Sequence, residues 1–333
     1  MRAWELRKPG IDGLTLVERA PPRPGPGEAL VRIAAVSLNY RDLAIARDPI
    51  SRGIALPRIP CSDAAGEVLA VGPGVTRVAP GDRVMSCFFQ AWEAGPITPQ
   101  AMASALGGPI DGVLAEEVVL REGGLTPIPS HLSFAEAASL PCAALTAWHA
   151  LVESGRIRPG ETVLCLGTGG VSAFAIQIAR LAGGQPIVVS SSAAKLERAG
   201  PLGAAATIDR STRPDWEKAV LELTRGVGVD HVVEVGGGGT LARSIEATRI
   251  GGHIALIGIL AAGQIDPTPL MRKSIRLHGI YVGSRVMQEA MVRAFEAAEL
   301  RPLVDRRFRL EDARDAFRAL ERAEHMGKIV IEL

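Results

Sequence analysis

Gly167-Thr168-Gly169-Gly170-Val171-Ser172 follows directly on the apolar run Thr162-Val163-Leu164-Cys165-Leu166. It opens a stretch in which Phe174, Ile178 and Leu181 recur at helical spacing. Gly183-Gly184 ends that pattern, and Ile187-Val188-Val189 reads as a second buried strand. Strand, glycine turn, helix and strand within about thirty residues is the context that lifts a glycine motif above chance. Gly167 permits the tight turn, and Gly169 lets backbone approach a pyrophosphate seated on the positive end of the helix. Gly167, Gly169, Gly170 and Val171 are therefore candidate cofactor contacts. The sixth position of the full fingerprint is glycine; here it is Ser172, which predicts slightly wider packing of helix on strand.

The alternation continues outward. Helical patterns at 195–202, 215–224 and 241–249 separate apolar runs at 206–208, 231–235 and 254–259, and a last run lies at 277–282. Six strands with intervening helices predict a doubly wound parallel sheet, which binds ligands at the carboxyl ends of its strands. Gly236 and Gly258-Ile259-Leu260 lie at two such ends and are expected to face the cofactor; the alternative is that the glycines only turn the chain. An acid at the end of the second strand binds the ribose 2′-hydroxyl of NAD. That place holds Ser190-Ser191-Ser192, with Lys195 one turn on. Hydroxyls and an ammonium suit a 2′-phosphate, so NADPH is expected over NADH, which stays possible. The competing reading of Lys195 is a surface lysine at a helix start.

At 333 residues the chain exceeds what one core usually holds. Strand-like runs at 14–18, 29–33, 66–72, 83–85 and 113–120, punctuated by Pro21-Pro22 and Pro80-Gly81-Asp82, argue for a β-barrel-like first domain. The segment 88–112 lacks periodicity and reads as a long loop of the kind that often carries function. Helical patterns at 288–299 and 311–321 lead to Gly327-Lys328-Ile329-Val330-Ile331, a strand expected to return to the first domain. The division expected is 1–125, completed by 285–333, against 126–284.

With 37 Lys and Arg against 36 Asp and Glu, the chain has no electrostatic footprint for nucleic acid or an anionic membrane. Its longest apolar run, 254–263, is short of the ~20 residues that span a bilayer. Arg2 and Glu5 place charges where a signal peptide needs an apolar stretch. Cys61, Cys87, Cys142 and Cys165 are scattered, with no CxxC pair, so reduced thiols and a cytoplasmic location are expected.

Ser37-Leu38-Asn39-Tyr40-Arg41-Asp42, Gly81-Asp82-Arg83-Val84, the helix 140–148, the glycine turn 167–172 and Gly327-Lys328 occur in this order. Together they resemble the medium-chain dehydrogenase/reductase superfamily over essentially the whole chain, and within it the zinc-free quinone oxidoreductase branch. The resemblance implies a GroES-like β-barrel catalytic domain, a Rossmann domain with a six-stranded sheet, a cleft between them and a homodimer joined through the Rossmann sheet. The catalytic metal of the zinc alcohol dehydrogenases takes a cysteine, a histidine and a second cysteine. Those places fall on Asn39, Ser62 and Cys142 here. One thiolate cannot hold zinc, which wants three protein ligands and an open position. Cys61, Asp63 and Cys142 would make an unusual set, and 88–112 has none of the four cysteines of a structural zinc lobe. No zinc is expected.

Without a Lewis acid, oxidising a plain alcohol needs a strong base. Neither Tyr40 nor Tyr281 is followed by lysine four residues on, so the short-chain reductase pair is missing. Reducing a quinone or conjugated enone demands less: proximity and hydrogen bonds to the developing oxyanion suffice. The resemblance puts Asn39, Tyr40 and Arg41 at the catalytic position, with Tyr40 either the best hydrogen-bond donor or a contact to cofactor phosphate. Asp42 is expected to be a structural ion-pair partner, not an acid. The resemblance further implies that Phe88 lines the substrate pocket, Thr146 touches the nicotinamide end and Lys328 approaches the cofactor; Cys142 is read as a small buried residue beside the cleft, in the substrate pocket, and loop position alone adds Trp92. The expected activity is NADPH-dependent hydride transfer to such a small-molecule acceptor. The alternatives are a dehydrogenase of secondary alcohols or ketones, and a non-catalytic NADPH-binding sensor.

Overall fold

The computed structural model describes all residues, 1–333, and the chain divides into two compact units, Met1–Leu145 with Gly283–Leu333, and Thr146–Val282. Strands β1 (Arg2–Leu6) and β2 (Leu14–Glu18) form an antiparallel pair. β3 (Glu28–Ser37), β4 (Asp63–Val71), β5 (Arg83–Ser86), β6 (Glu117–Arg121) and β7 (Leu125–Pro127) begin the main sheet of the first unit. The second unit carries β8 (Thr162–Leu166), β9 (Gln185–Ser190), β10 (Ala206–Asp209), β11 (Val229–Glu234), β12 (Thr248–Leu256) and β13 (Arg276–Gly279). The chain then returns to the first unit with β14 (Val304–Arg309) and β15 (Lys328–Glu332).

In the first unit the order is β14-β15-β3-β4-β5-β7, with β6 also paired to β3. All these pairs are antiparallel except β14 with β15. Alternation along β3 sends Ala29, Val31 and Ile33 inward and leaves Arg32 exposed, the period-two signature of a half-buried strand. Those side chains share a core with Phe317 and Leu320 of helix Ala313–Arg322 and with Ile329 and Ile331 of β15. Burying each of the Val, Ile, Leu and Phe side chains among them contributes about 1.5–3 kcal/mol. The second unit starts at Thr146, later than the break expected near residue 126. The reason is local: β7 pairs with β5 at Val84↔Pro127, and helix Phe134–Ala138 packs on β3 and β4.

In the second unit the order β10-β9-β8-β11-β12-β13, all parallel, is the six-stranded doubly wound sheet that the alternation predicted. From Val163 to Leu166 β8 is apolar and buried because both of its faces are covered. The register of β11 on β12 sets His231 opposite His253. His231 Nε2 meets the Glu161 carboxylate at 2.9 Å, and Ser154 Oγ lies 3.2 Å from His253 Nε2 and 2.6 Å from His278 Nδ1. Burial, with the other two imidazoles and Arg276 nearby, pushes His253 down to about 3 from 6.5. A folded-state value below the unfolded one gives stability that is complete above pH 6.5 and drains away as pH falls toward about 3. The urea midpoint of the wild type should accordingly fall more steeply between pH 6.5 and about pH 4 than that of His253→Gln; parallel slopes would show that His253 is not the group responsible.

Candidate active site

Within the second unit the glycine turn has the form its sequence requires. Gly167 sits at φ +73°, a conformation that side chains other than glycine rarely adopt, and its N–H donates to Val189 O at 2.7 Å. Gly169 is the N-cap of helix Gly170–Leu181, with Val171 in its first turn. An added Cβ at Gly169 meets no atom within 4 Å, so the positive end of the helix is open to a phosphate. Ser172 does not loosen the packing. It is 2 % exposed, and its hydroxyl donates to Leu166 O at 2.6 Å, tying the helix back to the strand it follows.

At the end of β9, Ser190 is buried and its Oγ accepts from Ser192 N at 3.3 Å, Ser191 is exposed, and Ser192 caps helix Ala193–Leu202, which carries the half-buried Lys195. The register Asp209↔Ser190 and a bond from Arg210 N to Ser190 O (2.9 Å) bring exposed Arg210 to the same end of the sheet. The sequence reading missed Arg210 because it lies one strand away in the fold and twenty residues away in the chain. It also missed Glu234. This fully buried carboxylate accepts from Gly236 N (2.7 Å), Gly237 N (3.1 Å), Thr240 Oγ1 (2.6 Å) and Ser244 Oγ, and so holds the Gly236–Gly239 turn in shape. An acid just before a glycine run, with Thr and Ser a turn or two on, is the signal that could have found it. Gly258 N bonds Glu234 O, and Ile259 and Leu260 beyond it are exposed, at 72 % and 57 %. Thr146 is buried at the start of this unit.

The first unit gathers most of the remaining predicted residues around helix Tyr40–Arg47. Asn39 is its N-cap, and Asn39 N donates to Asp42 Oδ2 at 2.8 Å, the acid half of a capping box. Asp42 thus forms half of the cap on the helix it helps to open. Its burial pushes it up to about 6, against the pull of Arg41 and of the Asn39 N–H. Tyr40 is half exposed. Arg41 donates to Leu106 O at 2.7 Å and lies over the Phe88 ring at 4.6 Å. Phe88 is 1 % exposed, stacked edge-on to Phe89, which meets Trp92 in the same way; Trp92 Nε1 donates to Gly95 O. The segment 88–112 is therefore anchored by an aromatic core, with a short helix, Pro99–Met102, that the missing periodicity concealed.

Beneath Asn39 lies a buried polar cluster. Asp63 Oδ1 accepts from Ser62 Oγ (2.6 Å) and Oδ2 from Cys142 N (2.9 Å). Burial raises Asp63, and burial followed by the nearby carboxylates raises the Cys61 and Cys142 thiols. Lys328, 2 % exposed, donates to Leu38 O (2.8 Å) and Asn39 Oδ1 (2.5 Å). No three His, Cys, Asp or Glu side chains are arranged to hold a metal ion.

A family model described as "Alcohol dehydrogenase GroES-like domain" matches residues 25–130, and one described as "Zinc-binding dehydrogenase" matches 170–297. A zinc-type alcohol dehydrogenase-like protein of Schizosaccharomyces pombe is 40% identical, covering 97% of this chain and 96% of its own. A quinone oxidoreductase-like protein 2 homolog of Nematostella vectensis is 29% identical over 92% of this chain and 82% of its own. Among solved structures, an NAD-dependent alcohol dehydrogenase superposes with a TM-score of 0.91 at 36% identity over 100% of both chains. The 2-octenoyl-CoA carboxylase reductase CinF, solved with NADP and 2-octenoyl-CoA, superposes with a TM-score of 0.88 at 27% identity over 99% of this chain and 87% of its own. The glycine turn, the GroES-like unit and these full-length likenesses agree: the chain belongs to the medium-chain dehydrogenase/reductase superfamily, as an NAD(P)-dependent oxidoreductase.

Proposed function

We propose that this enzyme transfers hydride from NADPH to an electrophilic carbonyl acceptor, a quinone or conjugated enone, without a metal. The observation that carries the reading is the donor set around Asn39. At the places where the zinc relatives supply ligands stand an amide, a hydroxyl and a single thiol that burial keeps protonated. Both Asp63 oxygens are taken by protein donors, and the ammonium of Lys328 is already bonded to Asn39 Oδ1. A cation fixed on one of the would-be ligands opposes a second cation there. The residues present fit zinc poorly.

Bound NADPH supplies the hydride. The chain's own groups hold it and receive the acceptor: the amino end of helix Gly170–Leu181 takes the pyrophosphate, and Ser190, Ser191, Lys195 and Arg210 suit the 2′-phosphate. Tyr40 offers an O–H donor to a carbonyl oxygen gaining negative charge, the kind of stabilisation that dominates such reactions. Solvent returns the proton. The likeness to zinc-type and NAD-dependent alcohol dehydrogenases favours a second reading, oxidation of a secondary alcohol. The exposed edge strand β13 supports a homodimer through the second unit, and four free cysteines support a reducing, cytoplasmic setting.

Consumption of NADPH against a panel of quinones and enones, before and after exhaustive chelation, tests the reading. Turnover unchanged by chelator and by added zinc is expected; loss on chelation with recovery on zinc would transfer the enzyme to the alcohol dehydrogenase class. For the cofactor, Lys195→Ala should raise the KM for NADPH roughly tenfold, the size of one charge-assisted bond, and leave that for NADH alone. An unchanged ratio would remove Lys195 from cofactor choice.

A further inference from the structure

The segment 88–112 has a narrow root. Leu106 N donates to Phe88 O and Gln90 N to Ser104 O, each at 3.1 Å, and Phe89 bridges Ala105. Ser104 Oγ accepts from Ala91 N at 2.9 Å. Beyond this root lies a lobe, 92–103, that contains the short helix Pro99–Met102. Arg41 fixes the root from outside. Its Nη1 donates to Leu106 O at 2.7 Å on the returning side, and its guanidinium lies 4.6 Å over the Phe88 ring on the outgoing side. One planar cation therefore holds both sides at once. Arginine suits that task because its face stacks on a ring while its edge donates. Gly108 leaves the room for it. An added Cβ there would lie 2.4 Å from Arg41 Nη2, and the next residue met is Ile45 at 3.7 Å. Arg41 sits in the first turn of helix Tyr40–Arg47, one residue from the half-exposed Tyr40.

We infer that Arg41 is a positioning residue: it bolts the root of the 92–103 lobe to the helix turn that presents Tyr40, and so fixes where the acceptor sits relative to that hydroxyl. That the lobe flanks the acceptor rests on the proposed function; the bolt itself does not. The competing role for Arg41 is service to Asp42 alone. Its Nη1 lies 4.0 Å from Asp42 Oδ1 and favours the ionised acid. Two substitutions separate the roles. Arg41→Met removes both the charge and the bolt. Gly108→Ala keeps the charge and drives the guanidinium from its place; Gly108 has no positive φ, so alanine suits its backbone.

Hydrogen exchange of the full-length, ligand-free enzyme, read in peptides covering 88–106, tests the bolt. Arg41→Met should speed exchange of the root amides about tenfold, the size of one charge-assisted hydrogen bond. Gly108→Ala should speed it in the same direction, and should add nothing in the Arg41→Met background, where no guanidinium is left to displace. Wild-type exchange in both single variants overturns the bolt. Faster exchange in Arg41→Met alone makes the Asp42 charge the cause and overturns it as well. In turnover of NADPH with 1,4-naphthoquinone, both variants should raise the KM for the quinone, roughly tenfold in Arg41→Met, with kcat and the KM for NADPH held. A raised KM for NADPH would instead make Arg41 a cofactor contact. A lowered urea midpoint with every kinetic constant unchanged would reduce it to a support of the fold. Either result overturns the positioning role. Should Arg41→Met fail to fold, Gly108→Ala decides both measurements by itself. An enzyme that turns over no acceptor at all would sink the proposed function, while exchange in the ligand-free protein would still decide the bolt.

Discussion

One buried ammonium governs the first unit. Lys328 lies among two buried carboxylates, Asp42 and Asp63, and stabilises the ionised form of both. A lysine withdrawn from water costs several kcal/mol unless its protons find acceptors and its charge finds an opposite one. Leu38 O, Asn39 Oδ1 and the two carboxylates supply both. The arrangement ties β15 to the end of β3 and to the start of helix Tyr40–Arg47, so these three elements form one polar knot.

The second unit solves a related problem with the opposite charge. Four glycines in a row, Gly236 to Gly239, have little intrinsic reason to hold one shape. Glu234 imposes it by accepting from two backbone N–H groups and two hydroxyls at once. At the neighbouring turn the device is neutral: the Ser172 hydroxyl reaches Leu166 O where the usual fingerprint has only a glycine. In each case a short polar side chain supplies rigidity that the backbone sequence lacks, beside the end of the sheet where a dinucleotide binds.

These devices mark the boundary of what a sequence states openly. The glycine turn, the six parallel strands and the returning tail strand were legible because period, spacing and punctuation are local properties. β1 and β14 were not: Arg2–Leu6 and Val304–Arg309 are rich in charged residues and become strands only through their partners. The aromatic core under 88–112 has no period to betray it. Arg210 and Glu234 escaped because their roles depend on which strand ends are adjacent. The candidate residues Asn39, Arg41 and Phe88 were named from resemblance. Their geometry, with Arg41 over Phe88 and Asn39 gripped by Lys328, required the fold.

The order of these pieces along the chain has a consequence for biogenesis. Residues 146–282 make a contiguous unit, whereas the first unit needs residues 283–333 to finish its sheet. During synthesis the nucleotide-binding unit can therefore close while the GroES-like one still exposes the flank of β3 that β15 will cover. Until β15 is made, that flank is an open edge at Val36 and Ser37, the kind of unpaired strand edge that can pair with another chain.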